Sequence, residues 1–249
     1  GKLCDAVVSR IGIRSIEFRG ADGLYINGKP FGDKLMGVNR HQDYAYIGNA
    51  VPNNLHWLDV KKMRDAGFRI IRSAHYPQDP AFMDACDELG MFIIVATPGW
   101  QYWNPEPVFE ERILSDIRNM VRRDRNHPSV LLWEPVLNET AFPESFAQNA
   151  YRATHEEYPA PGCYAAIDDK SKGAMGYDVV YTAPKNEAFY RNAGKSCFTR
   201  EYGDCVDDWN SHNSYSRVAR EWGEEPQIRQ AQHYARKDYG GSLTVDQFC

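Results

Sequence analysis

The chain has 249 residues, 43% of them apolar, which is enough for one α/β barrel or two small domains. Its 29 Lys and Arg residues against 34 Asp and Glu residues give a formal charge of −5, which is not the basic balance that binding to nucleic acid or an anionic membrane requires. No apolar run approaches the roughly 18 residues of a transmembrane helix. We therefore expect neither nucleic acid nor membrane as a partner, and a soluble protein of the cytoplasm or periplasm.

The first 33 residues have a β pattern. Residues 11–18 alternate between apolar and polar side chains, and Asn27-Gly28 is a hairpin turn signal. We therefore predict a β-hairpin lead-in over residues 1–33, followed by a second region over residues 34–249.

From residue 34 onward, short apolar runs alternate with longer amphipathic segments, which is the pattern of βαβ units around a parallel sheet. Strands are predicted at residues 34–39, 68–73, 92–96, 130–137, 163–167, 179–182, 197–201 and 242–245. Eight strands are the number that a closed barrel needs. The predicted fold class is therefore α/β, a (β/α)8 TIM barrel.

The segments between the strands carry helix signals. Asp79-Pro80 supplies an N-cap followed by proline at the first helical position, and Gly90 is a C-terminal stop. Asn53 or Asn54 is the expected N-cap of an earlier helix that ends at Gly67. Further helices are predicted at residues 109–121, 151–158 and 227–239.

Active sites of (β/α)8 barrels lie at the C-terminal ends of the strands, and several predicted strands end in polar side chains. These clusters are Asn39 to Asp43, Arg72 to Tyr76, Asn138-Glu139, Asp168-Asp169 and Arg200 to Asp204. We therefore look among them for catalytic groups.

Glu139 follows a long apolar run and suits a proton donor, because a desolvated carboxyl beside a second carboxylate has its pKa raised. Asn138 would supply a hydrogen-bond donor to a sugar 2-hydroxyl. Taken alone, the pair is better explained as the N-cap of a helix than as a catalytic site. Glu134 is a competing carboxylate, but an offset of five residues along one strand would point Glu134 and Glu139 to opposite faces.

Glu201 follows Arg200, which could hold the carboxylate ionised, as a nucleophile requires. Taken alone, the two residues are better explained as a structural ion pair at a strand end than as a nucleophile and its support.

Other chemistries have weaker signals. His41 and His75 with Asp43 could bind a metal, but HExxH or comparable spacing is absent, and we favour recognition of sugar hydroxyls and no metal site. GxSxG, GxGxxG and a P-loop are also absent, which argues against a serine hydrolase, a dehydrogenase and a kinase. The six cysteines have no zinc-like spacing and are predicted to be mostly reduced. The remaining histidines considered, predicted to lie at the surface, are His56, His155, His212 and His233.

Several motifs occur in a specific order along the chain. They are Gly12-Ile13-Arg14-Ser15-Ile16, Ile26-Asn27-Gly28-Lys29-Pro30-Phe31, Gly37-Val38-Asn39-Arg40-His41, Ile71-Arg72-Ser73-Ala74-His75-Tyr76-Pro77, Cys86-Asp87-Glu88-Leu89-Gly90, Arg123-Asp124-Arg125-Asn126-His127-Pro128-Ser129-Val130, Asn138-Glu139 and Glu201-Tyr202. With these motifs in this order, nearly all of the chain resembles the catalytic barrel of glycoside hydrolase family 2, the β-galactosidase and β-glucuronidase group.

The resemblance implies that Glu139 is the general acid/base and Glu201 the nucleophile. It further implies a covalent glycosyl-enzyme, net retention and carboxyl groups about 5–5.5 Å apart. It also implies that His41, Asp43, Arg72 and His75 line the sugar subsite or support the acids. Finally, it implies an immunoglobulin-like domain whose last strand is residues 1 to about 10, within a larger enzyme whose upstream β domains would contact this barrel.

The expected function is hydrolysis of terminal non-reducing β-D-glycosides, with β-galactosides favoured. A β-glucuronidase or other uronidase is the alternative within enzymes, and a carbohydrate-binding pseudoenzyme is the alternative outside them. The second alternative arises because the family's tyrosine after strand six has only Tyr181 as a counterpart, and its strand-eight tryptophan has none before Cys249, where the chain stops short of an eighth helix.

Trp100 and Trp103 lie after the third predicted strand, where either could be a sugar platform or a packed loop aromatic. The expected chemistry needs no cofactor. A structural or activating divalent cation and a homo-oligomer stay open.

Overall fold

The computed structural model describes residues 1, 4–8, 10–32, 35–44, 46–182 and 187–201. The chain divides into two compact units, Gly1–Arg200 and Glu201–Cys249. Of the second unit only Glu201 is described. The predicted strand at 242–245, the predicted helix at 227–239, and His212 and His233 lie outside the described residues.

The lead-in forms a three-stranded antiparallel sheet rather than a single hairpin. Its strands, in the order β1-β2-β3, are Ile16–Phe18, Leu24–Ile26 and Lys29–Pro30. The predicted turn is confirmed, since Asn27 and Gly28 both have positive φ, 51° and 72°, as a type I′ turn requires. Ile16 packs against Ile70 and Leu131 near the starts of two barrel strands, so this sheet covers the N-terminal end of the strands.

Seven parallel strands then follow one another in chain order. They are β4 (Gly37–Arg40), β5 (Ile70–Ser73), β6 (Phe92–Ala96), β7 (Val130–Glu134), β8 (Ala166–Asp168), β9 (Val179–Thr182) and β10 (Ser196–Thr199). One sheet holds β4-β5-β6-β7 and another β8-β9-β10, and a single parallel bridge between Trp133 and Ala165 links β7 to the segment before β8. All seven lie within a few residues of the predicted strands.

The connecting helices are α1 (Asn53–Asp65), α2 (Pro80–Leu89), α3 (Pro107–Asp124), α4 (Glu144–Glu157) and α5 (Glu187–Asn192). The prediction for α2 is confirmed, because the Asp79 carboxylate accepts the Ala81 N–H at 2.8 Å and Gly90 has a left-handed φ of 67°. The predicted cap of α1 is wrong, because Pro52 occupies the N-cap and no side chain caps the helix.

The helix α4 begins earlier than predicted, and α5 was not predicted. The buried face of α4 is made of Phe146, Thr154 and three alanines, and the small side chains of the alanines give a weak periodic signal in the sequence. The helices of the described part of the chain do not include one long and apolar enough to cross a membrane.

The alternation of side chains along each strand decides what faces the barrel interior. On β5, Ile71 packs in an apolar cluster with α2, whereas Ile70 packs in the interior cluster and Arg72 points to the same side. On β7, Trp133 packs with α2 and Leu132 packs inside. The interior therefore changes from apolar side chains near the strand starts to charged ones near the strand ends.

The strand β7 is shorter than predicted, since it ends at Glu134 rather than at residue 137. Pro135 has no N–H to continue the ladder. The alternation of side chains along a strand therefore cannot be applied to Glu134 and Glu139, because the strand ends before Glu139. Glu134 and Asn138 both contact Arg72 inside the barrel.

His56 also differs from expectation. It is fully buried on α1, with Nδ1 at 3.2 Å from a guanidinium nitrogen of Arg40, and burial lowers the pKa of this imidazole. The Arg40 side chain is likewise buried and is held by Gln78 and Asp59, so Arg40 supports the packing between the sheet and the helices.

Cys86, Cys163 and Cys197 are free thiols. Burial raises the pKa of Cys163 to about 12, and it also raises that of Cys86, so both thiols stay protonated.

Candidate active site

A buried ion pair lies inside the barrel near the strand ends. Arg72 on β5 donates Nε to Glu134 Oε2 at 2.8 Å and Nη2 to Glu134 Oε1 at 2.5 Å, so the pair is bidentate. Arg72 is 5% exposed and Glu134 is 2% exposed. Glu134, considered from the sequence as a competing catalytic acid, is therefore committed to holding this guanidinium in one orientation.

Asn138 is fixed by the same arginine. Its Oδ1 accepts from Arg72 Nη2 at 3.1 Å, and because Arg72 can only donate, this contact decides which end of the amide is the oxygen. The residue is 7% exposed, and its Nδ2 has no hydrogen-bond partner among the described residues. A buried amide donor left over in this way is suited to a ligand hydroxyl.

Glu139 has a network of its own. Its Oε2 accepts from Trp100 Nε1 at 3.1 Å and from Gln101 Nε2 at 2.9 Å. Its Oε1 lies 3.6 Å from Arg200 Nη1. Burial raises the pKa of Glu139, but the two N–H donors and the charge of Arg200 outweigh it, so the pKa lies below its ordinary value. With the described residues around it, Glu139 therefore has a lowered pKa, and the prediction of a raised one is wrong.

The loop that follows β6 meets Asn138-Glu139 closely. Gly99 has a φ of 119°, and a Cβ at this position would lie 2.7 Å from a methyl carbon of Leu137. The backbone N–H of Gln101 donates to the carbonyl of Asn138 at 3.1 Å. Glycine is therefore required where the two loops pack together, and this packing brings Trp100 and Gln101 to the Glu139 carboxylate.

Arg200 and Asp168 form a second ion pair at the strand ends. Arg200 follows β10 and donates to Asp168 Oδ2 from Nε at 2.9 Å and from Nη2 at 2.8 Å, and Asp168 Oδ1 accepts the Lys170 N–H at 3.0 Å. Both side chains are mostly buried. Asp168 therefore fixes the guanidinium that lies beside Glu139.

A row of three aromatic rings, those of His41, His75 and Trp100, lies beside Glu139. The ring centroids of His75 and Trp100 are 5.4 Å apart, and those of His41 and His75 are 5.6 Å apart. Burial lowers the pKa of His75 to about 4, with help from the charge of Arg72, so this imidazole is neutral at neutral pH. Trp100 is 46% exposed. A neutral imidazole and an exposed indole can both contact a sugar.

Three residues that the sequence suggested for substrate binding are not part of the group of side chains around Glu139. Trp103 packs on Phe109 and Phe146, with ring centroids at 5.4 and 4.9 Å, so the packed alternative holds for it. Tyr181 is 1% exposed beneath Arg72, whose guanidinium carbon is 5.4 Å from the ring, and its role in substrate binding stays a prediction. Asp43 is exposed on the loop after β4 and forms no hydrogen bond with another described residue.

Glu201 is the first residue of the second unit. It is partly buried and has a φ of 48°. Its role as nucleophile stays a prediction, as do the roles of His41 and His75.

The sequence pattern did not reveal the part played by Gln101 and Asp168 around Glu139. It places Asp168 at a strand end but does not indicate its partner. The signal for Gln101 was the polar loop that follows Pro98-Gly99 at the end of β6, since loops after barrel strands line the C-terminal face.

Among the described residues, one group of side chains has the spacing of a metal site: Asp84, Asp87 and His127, whose ligand atoms all lie within 4.8 Å of one another. The two oxygens of Asp87 have protein partners, His127 Nδ1 at 2.7 Å and the Ser129 N–H at 3.0 Å. This cluster lies by the start of β7, at the end of the strand opposite to Glu139, and its contacts are explained without an ion.

Comparison with known proteins gives consistent results. The family model described as "Glycosyl hydrolases family 2, TIM barrel domain" matches residues 16–160. A β-galactosidase of Thermoanaerobacterium thermosulfurigenes is 37% identical over 157 residues, which are 62% of this chain and 21% of that protein. The chain thus spans about a fifth of the length of this relative.

Two solved structures are also similar. A β-glycosidase from Bacteroides vulgatus matches with a TM-score of 0.63 and 28% identity, over 76% of this chain and 25% of that one. A β-glucuronidase from Bacteroides uniformis, covalently bound to cyclophellitol-6-carboxylate aziridine, matches with a TM-score of 0.60 and 29% identity, over 70% of this chain and 23% of that one. Since the family model covers more than half of the sequence and the observed strand order agrees with it, the chain belongs to glycosyl hydrolase family 2 and carries its TIM barrel domain.

Proposed function

We propose that this barrel is the catalytic domain of a retaining glycosidase that hydrolyses terminal non-reducing β-D-galactosides. The observation that carries the proposal is the surroundings of Glu139. Its carboxyl lies at the C-terminal face of the barrel, directly after Asn138, whose buried amide keeps an unused donor. This is where a (β/α)8 enzyme places an acid and a sugar-recognising amide.

In the proposed mechanism Glu139 protonates the glycosidic oxygen while Glu201 attacks the anomeric carbon. Glu139 then removes a proton from the water that hydrolyses the glycosyl-enzyme. Asn138 donates to the sugar 2-hydroxyl, and Arg72 with Glu134 holds Asn138 in the orientation that this contact needs. The first step needs a proton from one carboxyl group and nucleophilic attack by the other, and the second needs attack by water that a carboxylate deprotonates, so we propose that the chemistry itself uses no cofactor.

The charges support a neutral sugar. Arg72 and Arg200, the arginines that contact Asn138 and Glu139, are each paired with a carboxylate of their own. Neither offers the uncompensated positive charge that a sugar carboxylate would need. The similarity to the β-galactosidase of T. thermosulfurigenes points the same way.

A uronidase is the second candidate. It is favoured by the similarity to the B. uniformis β-glucuronidase, whose bound inhibitor carries a carboxylate. A panel of p-nitrophenyl β-glycosides, with galactoside, glucoside and glucuronide compared on the full-length chain, separates the two. A kcat/KM that is largest for the glucuronide would overturn the galactosidase proposal.

The catalytic roles are tested by substitution. We expect Glu201→Gln to abolish turnover, since an amide cannot form the glycosyl-enzyme. For Glu139→Ala we expect an activated dinitrophenyl glycoside to retain far more activity than a natural one, because a good leaving group needs no proton. Azide should then restore the rate and yield a β-glycosyl azide. Glu144→Gln, at an exposed carboxylate on α4, is the matched control and should keep wild-type turnover.

Two results would contradict the proposal. A glycosyl azide of inverted configuration would exclude retention, and a peptide other than the one containing Glu201 labelled by a 2-deoxy-2-fluoro galactoside would exclude the nucleophile. Saturable binding of galactosides by the full-length chain with no turnover would instead support the carbohydrate-binding alternative.

A further inference from the structure

The two oxygens of the Glu139 carboxylate have different surroundings. Two N–H donors from consecutive residues, Trp100 and Gln101, converge on Oε2 at 3.1 and 2.9 Å. A carboxylate oxygen offers about two lone-pair positions, so Oε2 is saturated. The contact found for Oε1 among the described residues is with the guanidinium of Arg200, at 3.6 Å, which is longer than a hydrogen bond.

The loop that carries these donors is held at several points. Gly99 packs its backbone against Leu137, Gln101 is tied by its backbone N–H to Asn138, and the Trp100 ring contacts His75. Each of these contacts joins the loop after β6 to another strand end. The two donors are therefore set in place by the packing of the strand ends and do not depend on the Glu139 contact alone.

We propose that Trp100 and Gln101 are positioning residues that hold Oε2 of Glu139, so that Glu139 exchanges its proton with the leaving group and with water through Oε1. The inference deepens the proposed function and rests on it for the kinetic consequences, but the arrangement itself concerns only Glu139 and its neighbours. The loop after β6 would then help to position the general acid/base.

The charges around Glu139 give the proposal a measurable consequence. Burial raises the pKa of Glu139, whereas Trp100, Gln101, Arg200 and His75, the groups among the described residues that face the carboxylate, all favour its ionised form. The charge of Arg200 is partly offset by its ion pair with Asp168. His75 is neutral above its pKa of about 4 and therefore adds little at neutral pH. The two N–H donors and Arg200 thus keep the pKa of Glu139 low.

The sign of the expected change follows directly. A general acid must be protonated, so the active fraction falls as the pH rises through the pKa of Glu139, and this gives the alkaline limb of kcat/KM. Removing a donor from Oε2 disfavours the carboxylate and raises that pKa. Each such variant should therefore move the alkaline limb to higher pH.

The test uses three variants of the full-length chain. Trp100→Phe keeps a ring against His75 but loses the N–H, and Gln101→Met keeps the length of the side chain without a donor. Trp103→Phe is the matched control, because it makes the same change in the same loop at a tryptophan that packs on Phe109 and Phe146. Thermal unfolding of each variant shows that the fold is intact, which we expect since Trp100 is 46% exposed.

We expect the alkaline limb of kcat/KM to shift to higher pH in Trp100→Phe and Gln101→Met and to stay at the wild-type pH in Trp103→Phe. General acid catalysis contributes about 10²–10⁴-fold, so partial misplacement should lower kcat on a poor leaving group by about tenfold and on a dinitrophenyl leaving group by less than about twofold. A loss that is equal on both substrates, with an unmoved limb, would show a merely structural role and overturn the proposal.

A second readout does not depend on turnover. The indole of Trp100 donates to Glu139, so its fluorescence should change when that carboxyl is protonated, and the change should be absent in Glu139→Gln and Trp100→Phe. The midpoint should be higher in Gln101→Met than in the wild type and unchanged in Trp103→Phe. An unmoved midpoint in Gln101→Met refutes the inference. A moved midpoint in a protein that hydrolyses none of the glycosides refutes the proposed function instead.

Discussion

The buried pair of Arg72 and Glu134 gives the sharpest stability prediction. Glu134→Leu removes the carboxylate but leaves the guanidinium, which is 5% exposed, without its bidentate partner. Breaking a buried ion pair by removing one partner costs about 3–5 kcal/mol, because the remaining charge stays buried after it has lost its bidentate counter-ion. The free energy of unfolding of a domain is roughly 5–15 kcal/mol, so this is a large part of it.

The double variant separates stability from activity. With Arg72→Met added to Glu134→Leu, neither charge of this pair remains. Replacement of a buried ion pair by apolar side chains often leaves the stability unchanged. We therefore expect the double variant to regain most of the stability lost by Glu134→Leu. Its turnover should stay low, because Asn138 Oδ1 has lost the Arg72 donor that orients the amide.

Urea unfolding followed by tryptophan fluorescence measures the effect, with m-values compared to verify that the same transition is observed. Asp65→Leu is the control, since its ion pair with Lys61 is exposed and of the i,i+4 kind that contributes about 0.3–0.5 kcal/mol. If the free energy of unfolding of Glu134→Leu lies within about 1 kcal/mol of the wild-type value, the large cost expected for breaking a buried ion pair is refuted. A double variant no more stable than Glu134→Leu would also contradict the reasoning.

Two further predictions concern the helices and the pH dependence of stability. Phe146 is fully buried on α4, and Phe146→Ala should lower the free energy of unfolding in urea by about 3–5 kcal/mol. Val108 is half-exposed on α3, so Val108→Ala should lower it far less. Equal losses in the two variants would contradict the packing described for α4. The hydrogen bond to Asp87 raises the pKa of His127 above its ordinary value of 6.5, so its contribution is fully present below pH 6.5 and lost as the pH rises through the raised value. The wild-type Tm should therefore fall as the pH rises through this range, and in His127→Gln it should fall less. The same decrease in both proteins would show that groups other than His127 cause it.

Much of the architecture follows from local patterns in the sequence. The parallel strands from β4 to β10 are short apolar runs, and α2 is bounded by Asp79 and Gly90, whose side chain and conformational freedom act within one turn. The errors are local too. Pro135 ends β7 early, and the alanines of α4 hide its buried face.

The sequence by itself determined that polar side chains follow the barrel strands, and it singled out Asn138-Glu139 among them. Tertiary structure alone decided how these side chains pair. It committed Glu134 to Arg72, separated the exposed Trp100 from the packed Trp103, and buried His56. It also lowered the pKa of Glu139, where the sequence predicted a raised one. The physical reason is that periodicity and capping act over a few residues, whereas a pKa and an ion pair depend on donors brought together from strand ends far apart in the chain.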